Sequence, residues 1–356
     1  MKIMEKRKEL YNYYKAKYPQ INIDNNNFIK EYTSTAEEYK LLTNGVAIRD
    51  LSNYSKTFIH GKDSESLLKR LTTNKIDEIK LLQWVKTLFV NSSGNIIDRT
   101  LLMKFEDYYI LVGSNTEEEK LYKWINRFVV GDDITISSSD DDYTLFEIMG
   151  RQAKSFMSMI LGEKFDELNN KDILRVQLGN FFVHGIKIND CRIEKYILLV
   201  DSIHAVETLK IIEERKSVFD LGMIGENAYN LFRIENKIPA APNELNDSVT
   251  PFEVNLHDEV SSEKQNYIGR GIIEDGEKNL AKLVKICFSN HFDSVKLPMN
   301  LVDNAGNEIG VVTSFSAHCI KNTALGLGLI NSDFHMNGFD IYAISDNKKI
   351  KINNID

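Results

Sequence analysis

The regular alternation of short apolar segments and turns between Thr57 and Val112 constrains the fold of this 356-residue chain most strongly. Strand-like alternation is found in four segments, 57–61, 84–91, 96–105 and 108–112. Between the first two lies a stretch, 63–71, with leucines at helical spacing, and a second helical stretch, 121–128, follows the last. The order strand–helix–strand–strand–strand–helix predicts a small antiparallel sheet backed by helices, and therefore an α+β fold.

The last stretch of the chain, 280–356, has a different character. It is dominated by short alternating segments separated by glycine- and asparagine-rich turns, namely 282–288, 307–314, 324–330 and 341–344. Such a pattern is typical of a small antiparallel barrel or sandwich. The Asp-rich run 137–142 is interpreted as a solvated loop, because its spacing matches no calcium-binding loop.

Composition and residue spacing argue against wholesale disorder, non-specific binding to nucleic acid or membranes, disulfides and a metal site. Hydrophobic residues make up 42% of the chain and charged residues 27%, which is ordinary for a globular protein. The net charge of -8 disfavours non-specific binding to nucleic acid or to an anionic membrane. The cysteines Cys191, Cys287 and Cys319 are far apart, which favours free thiols in the cytoplasm over disulfides. The histidines show no metal-binding spacing, so no metal is expected.

Five local patterns occur in a fixed order over about 300 residues. The first comprises 45–52 and 59–63, and the second is 94–99. The third comprises 233–235, 244–247 and 251–253. The fourth is 267–270 and the fifth is 309–314. Together they resemble the folate-binding superfamily of the glycine cleavage T-protein, the aminomethyltransferases. The resemblance implies a three-domain α+β arrangement around a central cavity that holds a folate. The implied domains are an α+β core (1–52 and 142–271), a ferredoxin-like domain (53–141) and a C-terminal antiparallel β-barrel (272–356).

The turn that begins at Gly94 contains the two catalytic candidates, Asp98 and Arg99. In the resembling family this turn ends in two aspartates, and the second takes part in one-carbon chemistry. Here Asp98 takes the first position and Arg99 the second. An arginine accepts no proton and cannot act as a general base. Asp98 is either a functional carboxylate, if the alignment shifts by one residue, or a structural carboxylate of the turn.

The cofactor-binding candidates carried over from the resemblance are Ser114, Asn115, Glu194, Tyr196, Tyr229 and Arg233. The family's pterin-binding glutamate falls on Ile197, with Glu194 nearby as a candidate or an exposed turn residue. Tyr229 takes the place of a family arginine and could stack on a ring or pack in the core. Arg233 and Glu235 are ligand candidates or a structural ion pair. Asn266 stands where an iron–sulfur maintenance branch has a reactive cysteine, which disfavours that branch.

Three hypotheses for function follow. The first is a methyl or one-carbon transferase that binds tetrahydrofolate in an altered manner. The second is a diverged enzyme that binds another, anionic ligand through Arg99. The third is a non-catalytic binding or assembly protein. The transferase hypothesis is preferred, and this preference is an analogy from fold to function. The expected ligand is a small molecule in the central cavity. A protein partner or a homo-oligomer is a further possibility.

Overall fold

The computed structural model describes residues 7–25, 27–114, 119–138, 142–190, 193–275, 281–290, 292, 295–331, 334, 340–345 and 348–356. Its α-helices in these ranges are α1 (Lys8–Lys17), α2 (Thr35–Asn44), α3 (Ser64–Leu71), α4 (Lys120–Asn126), α5 (Ala153–Leu161), α6 (Ala205–Glu213), α7 (Glu226–Glu235) and α8 (Arg270–Asp275).

The strands fall into a short hairpin, two open sheets and a closed barrel. In chain order the strands are β1 (Asn22–Ile23), β2 (Ile29–Glu31), β3 (Val46–Asp50), β4 (Lys56–His60), β5 (Gln83–Val90), β6 (Ile96–Lys104), β7 (Tyr108–Val112), β8 (Thr135–Ser138), β9 (Tyr143–Met149), β10 (Ile173–Leu178), β11 (Phe181–Asp190), β12 (Ile193–Asp201), β13 (Leu221–Met223), β14 (Lys282–Phe288), β15 (Met299–Val302), β16 (Glu308–Ala317), β17 (Ala324–Ile330), β18 (Tyr342–Ser345) and β19 (Lys348–Ile355).

The five-stranded sheet confirms the α+β prediction made from 57–128. Its order is β5-β6-β7-β4-β8, and helices α3 and α4 contribute to the apolar cluster that covers one of its faces. One part of the interpretation is wrong, because the start of the Asp-rich run belongs to β8 rather than to a loop. Ser137 and Ser138 pair with Phe58 and Thr57 on β4, so backbone hydrogen bonding outweighs the polar side chains there. Residues 139–141 lie outside the described ranges.

The six-stranded sheet has the order β10-β11-β12-β9-β3-β13 and is antiparallel except for the β3–β13 pair. One face packs on α1, α5 and α6 through a cluster that includes Phe156, Leu209 and Tyr196. The other face packs on the five-stranded sheet, where Ile188 and Ile197 belong to one cluster with Trp84 and Leu101. Side chains on alternate positions of each strand therefore enter different cores.

The C-terminal strands close into a six-stranded antiparallel barrel, as predicted, in the order β14-β17-β16-β15-β18-β19. Pairing of β14 with β19 completes the ring. The barrel contacts α7 on its outside: Asn230 donates a hydrogen bond to the Phe315 carbonyl over 2.9 Å. Helix α7 is thus held between the barrel and the two sheets. Among the described residues, no helix is both long and apolar enough to cross a membrane.

Candidate functional site

A cavity of about 450 Å³ lies between the two open sheets, with α7 and the segment 238–245 on its remaining side. Its volume is in the range of small-molecule sites. Apolar side chains from both sheets line one part, including Leu101 on β6 and Ile197 on β12. Charged side chains from β3, β5, β6, β9, β11 and β12 line another part. The cavity therefore combines an apolar surface with a charged one.

The charged part is built by strand alternation on one face of the six-stranded sheet. Arg49 on β3 lies directly opposite Glu147 on β9, and Glu147 lies opposite Ile197 on β12. Lys195 is two residues before Ile197 and therefore points to the same face. Cross-strand and diagonal neighbours on one face are close enough for charged side chains to meet.

Eight side chains form a continuous series of ion pairs, which we call the ion chain. Cations and anions alternate, with Lys86 as a branch at Asp190. The members are Glu226, Arg49, Glu147, Lys195, Asp190, Arg99, Lys86 and Glu259. With four cations and four anions, the ion chain is neutral as a whole.

Distances along the ion chain are within hydrogen-bonding range. Arg49 lies 2.8 Å from Glu226 and 3.2 Å from Glu147. Lys195 Nζ lies 3.1 Å from Glu147 and 3.2 Å from Asp190. Only 3% of the Lys195 side chain is exposed, so the lysine depends on these two carboxylates for its charge to be tolerated.

The pairing determines the protonation states. Burial would raise the pKa of Asp190, but Arg99, Lys195 and Lys86 hold that pKa well below its usual range. Burial would likewise raise the pKa of Glu147, and Lys195 with Arg49 keeps it below the usual value. Burial would lower the pKa of Lys195, which Glu147 and the groups around it raise well above normal. These members of the ion chain therefore stay charged at neutral pH.

Tyr229 on α7 is one of the phenols that the ion chain holds at the cavity. Lys195 Nζ donates a hydrogen bond to its oxygen over 3.1 Å, and the Arg49 guanidinium lies 3.5 Å from its ring centre. Because the oxygen accepts from an ammonium, the hydroxyl hydrogen is left for another acceptor. Tyr229 lines the cavity and is 8% exposed. It can therefore donate a hydrogen bond, or a proton, to a ligand.

Arg99 lines the cavity, but its guanidinium is already bound to acids. Its Nε lies 3.0 Å from both oxygens of Glu259, and its terminal nitrogen lies 2.6 Å from Asp190. Glu259 comes from a short 3₁₀ turn, His257–Glu259, that lies far along the chain. The arginine is thus a member of the ion chain and not a free anion-binding group.

Asp98, the other catalytic candidate, is buried behind the cavity wall and is not among the residues that line it. Its carboxylate accepts hydrogen bonds from the backbone N–H of Arg99 over 2.8 Å and of Ser114 over 3.1 Å. Burial raises the pKa of Asp98, and the Ser114 and Arg99 donors offset part of that effect. A Cβ on Gly113 would collide with this carboxylate, so Asp98 and Gly113 fit closely together.

The cofactor-binding candidates are not all brought together. Ser114, Tyr229 and Arg233 line the cavity. Glu194 and Tyr196 do not: they alternate with Lys195 and Ile197 and so point to the opposite face of β12, where Tyr196 lies in the helix-covered core. Glu194 is bound there by Lys187 at 3.1 Å and by the Tyr196 hydroxyl. Asn115 lies outside the described residues.

Arg233 makes a different ion pair from the one considered above. Its guanidinium binds Glu244 over 2.9 Å and the Ser314 hydroxyl over 2.6 Å, whereas a Glu235 carboxylate oxygen lies 3.2 Å from Nε2 of His318. The prediction of a structural ion pair between Arg233 and Glu235 is therefore wrong, because residues two apart on a helix face different directions. Arg233 connects α7 to the barrel.

Most members of the ion chain were not among the site residues predicted from the sequence. A signal was available, since Glu147 interrupts the apolar strand Leu145–Met149 and Lys195 interrupts the apolar run around it. Charged residues inside such strands must find partners. The identity of the partners required the fold.

Several known proteins are similar to this chain in sequence. The aminomethyltransferase of Caldanaerobacter subterraneus subsp. tengcongensis is 26% identical over 334 residues, which cover 90% of this chain and 86% of that protein. The aminomethyltransferase of Halothermothrix orenii is 24% identical, with 90% of each chain covered. The family described as the GCVT N-terminal domain matches residues 9–264. The chain belongs to this family.

The fold of this GCVT-family protein also matches a solved structure. The glycine cleavage system aminomethyltransferase T from Bartonella henselae superimposes with a TM-score of 0.80 and 16% identity, covering 96% of this chain and 94% of that one. The predicted T-protein-like arrangement is therefore confirmed at the level of the fold. Among the described residues of this GCVT-family protein, no group of three metal-ligating side chains is arranged to hold a metal ion.

Proposed function

We propose that this protein is a tetrahydrofolate-dependent transferase of a methyl or other one-carbon group, with a donor different from that of the aminomethyltransferases. The observation that carries the proposal is the position of Tyr229, which Lys195 and Arg49 hold at the cavity with its hydroxyl available. Family membership supports the reaction class, and the altered polar groups support the altered donor. We further propose the cytoplasm as the compartment.

The residues around the cavity fit a reduced folate. A pterin ring needs apolar contact on its faces and an acceptor for its amino and amide edge. Leu101 and Ile197 offer apolar contact. Glu226 lines the same cavity, is 23% exposed, and retains lone pairs beyond those that Arg49 occupies. We infer that Glu226 supplies the acceptor that the resemblance assigns to the position of Ile197.

Bound tetrahydrofolate would supply the nitrogen atoms that accept the one-carbon unit. The chain's own groups act on the donor. As the bond from carbon to the donor's heteroatom breaks, the electron pair stays on the heteroatom, which takes the proton of the Tyr229 hydroxyl. The proton displaced from the accepting nitrogen would then restore that hydroxyl. Lys195, 3.1 Å from that oxygen, stabilises the resulting phenolate. Arg49 holds the ring in place, so the hydroxyl does not have to be oriented during the reaction.

Binding is tested first, by calorimetric titration of the protein with tetrahydrofolate up to near-millimolar concentration. Glu226→Gln removes the charged acceptor and is expected to weaken binding about tenfold. Glu167→Gln, at an exposed position outside the cavity, is the matched control and should bind as the parent does. Complete absence of binding by the parent protein would refute the proposal.

Transfer is tested next, with a panel of N-, O- and S-methyl donors and mass spectrometry of the folate product. Tyr229→Phe keeps the ring and removes only the hydroxyl. It should bind tetrahydrofolate like the parent and lower the rate of transfer by about 10²- to 10⁴-fold. Equal rates in the two proteins would exclude a proton-donating role for Tyr229.

A non-catalytic binding protein is the second candidate. It is favoured by Arg99, which stands at a functional carboxylate position of the resembling family and is bound to Glu259 and Asp190. In that case the cavity would bind a folate without transfer from any donor in the panel. An unchanged folate after prolonged incubation with every donor would support this candidate over the first.

A further inference from the structure

Arg49 holds a second phenol at the central cavity, that of Tyr54. Tyr54 lies in the turn between β3 and β4 and is one of the residues that line the cavity. Its hydroxyl oxygen accepts a hydrogen bond over 2.8 Å from Nη2, one of the two terminal nitrogens of Arg49. The proton transfer proposed above uses Tyr229 and leaves Tyr54 without a role.

The Tyr54 hydroxyl retains a hydrogen that it can donate to a ligand. Within the described ranges, the one hydrogen-bond partner of this hydroxyl is Arg49, and an arginine only donates. Burial raises the pKa of Tyr54 above its usual value, against the opposing effect of Arg49, so the phenol stays protonated at neutral pH. The hydroxyl is therefore a hydrogen-bond donor at the cavity wall.

This donor lies beside an acceptor, because Glu226 binds the same nitrogen of Arg49. Nη2 lies 2.8 Å from the Tyr54 oxygen and 2.8 Å from Oε2 of Glu226. The two oxygens can therefore be no farther apart than the sum of these two distances. Glu226 keeps lone pairs beyond those that Arg49 occupies. One arginine nitrogen thus places a hydroxyl donor next to a carboxylate acceptor.

The Tyr54 ring connects this polar pair to the apolar part of the cavity. It packs against the apolar cluster that includes Leu101 and Ile197, the side chains proposed to contact the faces of a pterin. The backbone of the turn is fixed as well, since the Tyr54 N–H donates to the Leu51 carbonyl over 3.0 Å. The fully buried Lys56 donates to the Tyr54 carbonyl over 3.0 Å. The hydroxyl is thus held on a well-supported turn beside the proposed ring site.

We propose that Tyr54 donates a hydrogen bond to the ring carbonyl of the pterin while Glu226 accepts from the neighbouring N–H and amino groups. This assignment rests on the proposed function, because it needs a folate in the central cavity. The carbonyl oxygen and the ring N–H of a pterin belong to one amide and lie roughly 2.3 Å apart, so their protein partners are expected roughly 3–5 Å apart. The shared nitrogen of Arg49 allows this spacing.

The arrangement discriminates between a carbonyl and an amino group at the same ring position. An amino group donates rather than accepts, so it leaves the Tyr54 hydrogen without a partner. A site that is built to form a hydrogen bond with a ligand discriminates against an analogue that lacks the matching group. Two ligands that differ only at this position therefore isolate the contribution of the Tyr54 hydroxyl.

The test compares tetrahydrofolate with tetrahydroaminopterin, its analogue with an amino group in place of the ring carbonyl, by calorimetric titration of the full-length protein. Tyr54→Phe keeps the aromatic ring and removes the hydroxyl. It should bind tetrahydrofolate about tenfold more weakly than the parent, and tetrahydroaminopterin within about twofold of the parent. The preference for the carbonyl should therefore fall about tenfold. Tyr122→Phe, on α4 and outside the cavity, is the matched control and should leave both affinities unchanged.

The outcomes separate this assignment from the proposed function. Equal weakening of both ligands by Tyr54→Phe would show a structural role only and would overturn the assignment, as would unchanged binding of both. In either case the parent still binds tetrahydrofolate and the proposed function stands. If the parent does not bind tetrahydrofolate, the proposed function fails and the assignment fails with it. Because both ligands are measured on the same variant, a partial loss of folded protein does not change their ratio.

Discussion

The guanidinium of Arg49 lies against the ring of Tyr229, with 3.5 Å between its central carbon and the ring centre. The same guanidinium binds Glu226 and Glu147, so it cannot rotate away without breaking two ion pairs. Arg49, on the six-stranded sheet, thus fixes Tyr229 on α7. The relationship explains how a phenol on a helix is held in one orientation beside the cavity.

Glu147→Gln should strongly destabilise the protein. Glu147 is the anion between Arg49 and Lys195, and its neutralisation leaves two buried cations under-compensated. The free energy of unfolding should fall by about 3–5 kcal/mol, measured by urea denaturation. Asp133→Asn removes an exposed partner of Lys62 and should lower it by less than about 1 kcal/mol. Similar losses in both variants would contradict the structural importance of the ion chain.

Arg233→Met should weaken the attachment of the barrel. The substitution leaves Glu244, whose side chain is fully buried, without its cation, and removes the bond to Ser314. We expect a loss of about 3–5 kcal/mol in the free energy of unfolding, together with faster proteolysis near the start of β14. Lys237→Met, which removes only an exposed pair with Asp356, is the control. If proteolysis is unchanged, the contact does not hold the barrel.

Gly113→Ala should destabilise the protein because its Cβ would enter space that the Asp98 carboxylate and the Ser55 hydroxyl occupy. A loss of about 1–3 kcal/mol in the free energy of unfolding is expected from this overpacking. Gly271→Ala is the comparison, since a Cβ there meets no heavy atom of the described residues within 4 Å apart from its own helix and chain neighbours. Its stability should equal or slightly exceed that of the parent, and equal losses at both positions would refute the close fit around Asp98.

His184 should make the protein less stable at acidic pH. Burial, assisted by Arg175 on the neighbouring strand, lowers its pKa from 6.5 to about 4. Between these two values the unfolded chain binds more protons than the folded one, so the free energy of unfolding falls as pH drops from 6.5 towards 4. Urea denaturation at pH 7 and pH 5 measures the fall. His184→Gln should show a smaller fall, and an identical pH dependence would exclude this histidine as a cause.

Local patterns were sufficient to predict the strands that carry clear alternation. The segment 108–112 became β7 with the predicted bounds, and the segment 324–330 became β17. The strands β10 and β19 were missed. Residues 348–355 carry lysines and asparagines, and only their inward positions Ile350, Ile352 and Ile355 are apolar. Such a strand is defined by the partner that it pairs with to close the barrel, and pairing is not a local property.

The site was less accessible to prediction than the fold. The resemblance pointed to Asp98 and Arg99, which lie near the start of β6, yet their roles depend on contacts with distant segments. Arg99 and Glu259 are 160 residues apart in sequence. Glu194 was considered because of its type and proximity to a family position, but strand alternation turns it away from the cavity and brings Lys195 in. A shift of one residue in register decides which of the two faces a ligand.

The neutrality of the ion chain also bears on how such a protein can change over evolutionary time. An arginine at position 99 is tolerable in this structure because Glu259 and Asp190 are both present to receive it. A lineage that introduced a carboxylate at position 99 would place three acids together and would need compensating substitutions. Positions 99, 190 and 259 should therefore co-vary among the protein's nearest homologues. The homologues that share Arg99, Asp190 and Glu259 should form a subgroup of the family.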